Sequence, residues 1–133
     1  MTSAAFPIQQ AIYRILTGDA GLMSRIKGVF DDVPENQAFP YITIGEMTSG
    51  PFRTFSRFGE EATITLHIWS RYEGFKEASQ ILGEVNRLLA DKEIEIPGYD
   101  SATCQYDFSE TLRDEDGRTR HIPVRYRIKL QEL

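Results

Sequence analysis

Serine, histidine and acidic residues are all present, but no motif combines them into a catalytic set. The candidates for acid–base, nucleophilic or metal chemistry are the two histidines, the single cysteine and one small acidic group. His67 and His121 each stand in a run of alternating polar and apolar residues, which is typical of strands, and neither belongs to a nucleophile motif. His67 falls on the polar side of its run, where a solvated or interface histidine is a simpler interpretation than a general base. Cys104 falls on the apolar side of its run and is most simply a small buried hydrophobe.

The acidic group consists of Asp31, Asp32 and Glu35 and could seed a divalent-metal site. The same residues are turn formers beside Pro34, and an oxygen-ligand cage needs more ligands in a defined order. One cysteine with two histidines cannot close a structural zinc site without carboxylates, and glycine-rich phosphate loops are absent from the sequence. We therefore expect no metal and no cofactor. A small enzyme using Cys104, His67 or the Asp31/Asp32 pair is the third-ranked hypothesis.

The most distinctive local segment interleaves aromatic and basic residues: Phe52, Arg53, Phe55, Arg57 and Phe58. Such residues can anchor a loop on a partner protein, where Phe and Arg are enriched. They can also fold back on their own sheet, or stack on bases and contact phosphates. A protein interface is the favoured interpretation, and a nucleic-acid-binding module is the alternative.

Length and composition favour a single domain spanning residues 1–133. A net charge of −5 argues mildly against a dedicated nucleic-acid binder. The N-terminus lacks the basic and apolar regions of a secretory signal, and no run approaches the roughly 20 apolar residues that cross a bilayer. We expect no membrane partner, and the single cysteine fits a reducing compartment.

Hydrophobic periodicity predicts the elements that would position these residues. The segment 8–16 has a helical apolar stripe that Gly18 would end, and 75–89 has a second, stronger one. Alternation predicts a strand at 39–47 and another from Glu60 through Ile68, with 28–30 as a short strand and Gly45 as a bulge or close approach. Residues 48–59 read as a long connection. The result is an α+β fold, an antiparallel (mixed) sheet with two main helices packed on one face.

The last third of the chain predicts a long hairpin with Gly117 at positive φ in its turn. If both apolar sets are to share one face, the hairpin needs an odd-numbered loop or a bulge, because a one-residue slip flips every side chain. We expect a three- or five-residue loop. The expected facing pairs are Leu112 with Ile122, Phe108 with Tyr126 and Asp107 with Arg127.

Three segments together resemble the tail-completion, or tail-terminator, proteins of long-tailed bacteriophages. They are FPIQQAIYRILTGD with the acidic turn after it, FPYITIGEM leading into ITLHIWSRYEGFKEASQILGEVNRLL, and the hairpin ending DEDGRTRHIPVRYRIKL. The strand start at Phe39-Pro40-Tyr41 and the passage from Trp69 to Gly74 are the most specific parts.

The resemblance implies a non-enzymatic virion protein that acts at the head–tail interface after assembly in the host cytoplasm. It implies a ring of identical subunits, typically hexameric, that stops tail-tube polymerisation and docks to the head connector. Its partners would be its own copies, the tail-tube protein and the connector, with DNA passing through the channel without sequence recognition. No catalytic residue is carried over, and the contact residues we expect are Phe52, Arg53, Phe55, Arg57 and Phe58.

Overall fold

The computed structural model describes residues 3–53 and 58–133, with the side chain of Arg53 outside the description. Ten elements follow one another: α1 (Ala5–Thr17), α2 (Ala20–Met23), β1 (Val29–Phe30), β2 (Tyr41–Arg53), β3 (Phe58–Ser70), α3 (Lys76–Leu89), β4 (Lys92–Glu93), β5 (Tyr99–Ser109), β6 (Leu112–Arg113) and β7 (Arg120–Glu132). The strands form one sheet in the order β1-β2-β3-β7-β5-β4, with β6 paired to β7. Among these described strands, β1 alone runs parallel to its neighbour. The α+β prediction is confirmed.

The two long helices form where the apolar stripes predict them. In α1 the buried positions are Ile8, Ala11, Ile12 and Leu16, and in α3 they are Ala78, Ile81, Val85 and Leu89. This spacing of three and four residues places them on one face of each helix. Gly18 ends α1 as expected, and its N–H donates to carbonyl oxygens of the last turn. None of the helices in the described ranges is long and apolar enough to cross a bilayer.

The core lies between these helices and one face of the sheet. Ala62, Ile64, Leu66 and Ile68 alternate into it from β3, and the alternating residues of β7 join them. Tyr126 on β7 is fully buried, and its hydroxyl donates a hydrogen bond to Asn86 Oδ1 on α3. Because the strand period is two, the intervening residues point to the opposite side. We call that side the outer face.

The predicted pairing in the C-terminal hairpin is wrong. The tip is a six-residue loop, 114–119, rather than one of three or five residues, although Gly117 has the expected positive φ of 70°. A bulge between Tyr106 and Phe108 changes the register instead. The observed partners are Arg125 for Phe108, His121 for Leu112 and Gln105 for Arg127. Phe108 is consequently 42% exposed and faces away from the helices.

Residues 48–59 are not simply a connection. The structure extends β2 to Arg53 and begins β3 at Phe58, so that 48–53 pairs with 58–63. Residues 54–57 lie outside the described part of the chain. The expected feature at Gly45 is confirmed, because the β2–β3 register shifts between Ile44 and Met47. We call the paired segments 48–53 and 58–63 the arm.

Candidate functional site

The arm carries the aromatic residues that the sequence singled out. Phe52 pairs with Gly59 and is half-buried, with Lys129 Nζ 5.6 Å from its ring centroid. A Cβ at Gly59 would lie 2.5 Å from the carbonyl oxygen of Phe52 and 2.7 Å from that of Leu130. Only glycine therefore permits the three strands to approach so closely near the end of the arm.

The five predicted contact residues are only partly described by the structure. Phe52 and Phe58 are half-buried on the paired strands of the arm, and Arg53 pairs with Phe58 through its backbone. Phe55 and Arg57 lie outside the described residues. Their assignment to an interface stays a prediction.

A row of stacked rings crosses the outer face and was not anticipated from the sequence. Tyr41, Trp69 and His121 are directly opposite one another on the adjacent strands β2, β3 and β7. The rings of Trp69 and His121 are 3.8 Å apart at an interplanar angle of 11°, and Tyr41 lies 6.5 Å from Trp69. Phe39 extends the row at 4.9 Å from Tyr41, and the guanidinium of Arg71 covers Phe39 at 4.3 Å. We call these four rings the aromatic row.

His67 joins this row to a carboxylate. Its Nδ1 lies 2.6 Å from Nε2 of His121, and its Nε2 lies 2.8 Å from Oε1 of Glu46. The hydrogen bond from His67 lowers the pKa of Glu46, so the carboxylate is ionised and accepts a hydrogen bond from Nε2–H. In the neutral pair, Nδ1 of His67 must then accept from Nε2–H of His121. The result is a directed chain, His121 to His67 to Glu46.

Glycine at position 45 makes room for His67. A Cβ there would lie 2.6 Å from Cδ2 and 2.7 Å from Nε2 of the imidazole ring. Trp69 is fixed on the same side by Nε1–H, which donates to Oγ1 of Thr43 at 3.1 Å. The bulge in β2 thus places Glu46 within reach of His67 while leaving space for its ring.

Two arginines of β7 on the outer face form ion pairs. Asp107, displaced by the bulge in β5, accepts from Nε of Arg125 at 2.6 Å and lies 3.6 Å from Nη2 of Arg127. Arg127 also donates to Glu61 on β3 at 2.8 Å. These pairs are partly exposed, and each contributes little to stability. Their consequence is that these basic side chains are already neutralised.

The other sequence candidates lie elsewhere. Cys104 is fully buried among core residues, and burial raises the pKa of its thiol to about 12, with the nearby Asp91 adding to the shift. Asp31, Asp32 and Glu35 are exposed in the segment between β1 and β2. Within residues 3–53 and 58–133, no three acidic, histidine or cysteine side chains form a group that could hold a metal ion.

The histidine pair was missed because its members are 54 residues apart and belong to strands whose adjacency the sequence does not reveal. The alternation of β3 and β7 does place both on polar positions. Once β3 is paired with β7, the two histidines are diagonal neighbours, because Trp69 opposes His121 and His67 opposes Pro123.

Comparison with solved structures gives the same fold. A chain in the virion of a native gene transfer agent particle superposes with a TM-score of 0.86 at 20% identity, covering 98% of this chain and 99% of the other. The structure of bacteriophage SPP1 gp17 superposes with a TM-score of 0.63 at 23% identity, covering 98% and 91%.

Comparison of sequences gives the class and then the family. The class is that of structural virion proteins that complete a phage tail, and its members are not enzymes. The model of the family described as Tail completion protein gp17 matches residues 10–131. A protein of Bacillus phage SPP1 with that same description is 30% identical over 127 residues, 94% of each chain. This chain belongs to the tail completion protein gp17 family.

Proposed function

We propose that this chain forms a ring with copies of itself at the head-proximal end of a phage tail. There it ends polymerisation of the tail tube and joins the tail to the head connector, while DNA passes through without sequence recognition. The observation that carries the proposal is the relationship, over 94% of both chains, to a protein described as completing a phage tail. The resemblance of the whole sequence to tail terminators supports the ring, which we expect to be hexameric.

The two ends of the sheet support a head-to-tail contact between subunits. Within the described residues, β1 pairs with β2 only at Ile42 and Thr43, and β4 pairs with β5 only at Thr103 and Cys104. Long stretches of β2 and β5 therefore have an outer edge without a strand partner in the described chain. Two different edges on opposite ends of one sheet suit a heterologous interface, which closes into a ring when the rotation per subunit permits.

The arm is the proposed contact element with a neighbouring subunit or tail component. Phe52 and Phe58 stand at its end with half-buried rings, and Arg53, Phe55 and Arg57 belong to the same segment. Aromatic and arginine side chains give large contact areas and strong anchors in interfaces. We therefore propose Phe52, Arg53, Phe55, Arg57 and Phe58 as contact residues.

Charge supports passage of DNA without tight binding. The arginines of the outer face at 125 and 127 are paired with Asp107 and Glu61, and the whole chain carries a net charge of −5. Because these two arginines are already paired with carboxylates, they contribute less to the release of counterions that drives DNA binding.

An assembly assay tests the proposal. Purified chain is added to tail tubes that lack a terminator, and electron microscopy then records end-rings, tube lengths and joining to connector-bearing heads. Wild-type protein should cap the tubes. The double variant Phe52→Ala/Phe58→Ala should cap at least about tenfold fewer tubes, because a tenfold loss of affinity corresponds to about 1.4 kcal/mol of binding free energy. Tyr72→Ala, which removes a ring that is 62% exposed outside the arm, is the matched control.

A monomer in dilute solution is compatible with the proposal, because such a ring can form on its template. Failure of the folded wild-type chain to bind either tubes or connectors would overturn it. Capping by the arm variant at wild-type level would overturn only the role of the arm.

The second candidate function is nucleic-acid binding by the arm, and the position of Lys129 over the ring of Phe52 favours it. It predicts salt-dependent binding of single-stranded oligonucleotides that Arg53→Ala/Arg57→Ala abolishes. Fluorescence anisotropy at low salt measures this, and a flat titration would remove the candidate.

A further inference from the structure

The histidine pair on the outer face has a property that the proposed ring does not require. His67 and His121 are the only histidines of the chain, and their facing nitrogens are 2.6 Å apart. We propose that they form a pH-sensitive latch, which stays closed with no or one added proton and opens when a second proton binds. Opening separates the imidazole rings and releases His121 from its stack on Trp69.

The number of protons on the two imidazole rings determines whether the latch is closed. A nitrogen–nitrogen distance of 2.6 Å accommodates one hydrogen between the rings, because one nitrogen must accept what the other donates. In the neutral pair, His121 donates to His67 and His67 donates to Glu46. An added proton can reside on the free Nδ1 of His121, or both nitrogens of His67 can donate. With two added protons both facing nitrogens carry hydrogen, and the bond cannot exist.

The surrounding charges distinguish the two protonation steps. Burial, followed by the neighbouring His67, lowers the pKa of His121, and Asp114 from the β6–β7 turn and Glu46 from β2 offset this only in part. Of the other charged groups nearby, Arg71 lies over Phe39 beside Tyr41, and Arg125 is paired with Asp107. The pKa of Tyr41 is raised by burial, so its hydroxyl stays neutral. The second proton is added beside an imidazole that is already charged, so it binds less readily than the first.

The packing indicates which ring moves. His67 is confined by Glu46 on one nitrogen and by the backbone at Gly45, which leaves no space for even a Cβ beside the ring. Trp69 is tied to Thr43 through its indole N–H. His121 has no second tether of this kind among the described side chains, so repulsion displaces it. The aromatic row is then interrupted at the contact between Trp69 and His121.

The latch also makes stability depend on pH in a defined direction. Because the folded pKa of His121 is lowered, the unfolded chain binds more protons near pH 6.5 than the folded chain does. The free energy of unfolding therefore decreases as the pH falls through about 6.5, and this loss stops below the folded pKa.

Two spectroscopic titrations of the intact protein test the latch. NMR follows the Cε1 proton of each histidine from pH 8 to 4.5, and fluorescence follows Trp69, the only tryptophan. We expect two steps separated by at least about 1 pH unit, a tenfold difference in proton affinity. The fluorescence of Trp69 should change with the second step, when His121 leaves its face.

Variants distinguish coupling from two independent titrations. In His67→Gln, His121 should titrate in one step at a higher pH than in the wild type. Should that variant not fold, His121→Gln gives the reciprocal measurement on His67. Thr103→Val, an exposed substitution on β5 away from the pair, should leave both steps unchanged. A single shared midpoint for both wild-type histidines, or an unchanged midpoint for the remaining histidine in either variant, would overturn the proposal.

Discussion

Trp69 and His121 stack face to face, with ring centroids 3.8 Å apart and planes 11° from parallel. The contact exists because the two residues oppose each other across β3 and β7, and their side chains both point away from the helices. It joins a tryptophan held by Thr43 to a histidine held by His67. This end of the outer face is consequently an ordered array of rings.

The glycine beside that array gives the first prediction. Gly45→Ala places a Cβ 2.6 Å from the ring of His67 and 3.0 Å from the backbone oxygen of Thr65. We expect a loss of about 1–3 kcal/mol in the free energy of unfolding, as for overpacking in a filled site. Urea denaturation measures it, and the NMR signals of His67 should shift.

Gly83→Ala is the matched control for this substitution. Gly83 is exposed on α3 with no atom within 4 Å of the position of an added Cβ, so alanine should stabilise the protein by about 0.4–1 kcal/mol. Equal stability changes of the same sign at both glycines would contradict the steric argument.

The hydroxyl of Tyr126 gives the second prediction. Tyr126→Phe keeps the ring but removes the donor to Asn86 Oδ1, leaving a partly buried amide without that hydrogen bond. Burial raises the pKa of this hydroxyl, so it remains a donor throughout the ordinary pH range. We expect a loss of about 1–2 kcal/mol by chemical denaturation. Tyr72→Phe, at a site 62% exposed, should change little, and an equal loss there would refute the role of the buried bond.

The single thiol gives the third prediction. Cys104 is fully buried and its thiol has a pKa raised to about 12, so little reactive thiolate exists at neutral pH. Alkylation by iodoacetamide, followed by mass spectrometry, should be slow in the native protein. It should accelerate by at least about tenfold once denaturant unfolds the chain, because the ordinary thiol pKa is near 8.5. Rapid labelling of the native protein would show that the core is open at this position.

The hairpin turn gives the fourth prediction, in which hydrogen bonds determine the direction of the pKa shift of Asp116. The carboxylate of Asp116 accepts from the backbone N–H groups of Thr119 and Arg118 and from the hydroxyl of Thr119. These bonds, with those of Thr119 the strongest, lower its pKa to about 2. Because the folded pKa is lowered, the Asp116 carboxylate stabilises the turn fully at pH values above its ordinary pKa of 3.8. This stabilisation is lost as the pH falls towards 2.

Carbon-detected NMR of the Asp116 carboxyl group should therefore give a midpoint near 2, with the amide signals of Arg118 and Thr119 moving in the same step. In Asp116→Asn the acid-dependent shift of those amides should disappear. A midpoint near 4 in the wild-type protein would mean that the turn does not hold the carboxylate.

Much of the fold was readable from local pattern. The stripe at three- and four-residue spacing predicted α3, and alternation predicted β3 and β7, because each element buries one face of itself. Gly117 at positive φ followed from turn chemistry alone. The register of the C-terminal hairpin could not be predicted in this way, because a bulge beside Phe108 shifts it. Nothing in the alternation of polar and apolar residues marks where an extra residue interrupts the strand pairing.

The candidate site was predicted less completely. The arm's aromatic residues were visible as an unusual cluster, yet the pairing of 48–53 with 58–63 was hidden by the glycine, proline and serine residues of that segment. The sequence shows His67 and His121 only as separate residues in two alternating runs. Only the placement of β7 between β3 and β5 brings them within a hydrogen bond.

By itself the sequence determined the α+β class, the positions of the long helices and strands, and the resemblance to tail-completion proteins. These depend on hydrophobic period and turn residues, which act over a few neighbouring positions. The tertiary structure decided the strand order, the bulges and the contact of two histidines 54 residues apart. Such contacts arise from pairing between distant strands, and that choice is made by the packing of the whole core rather than by any local stretch.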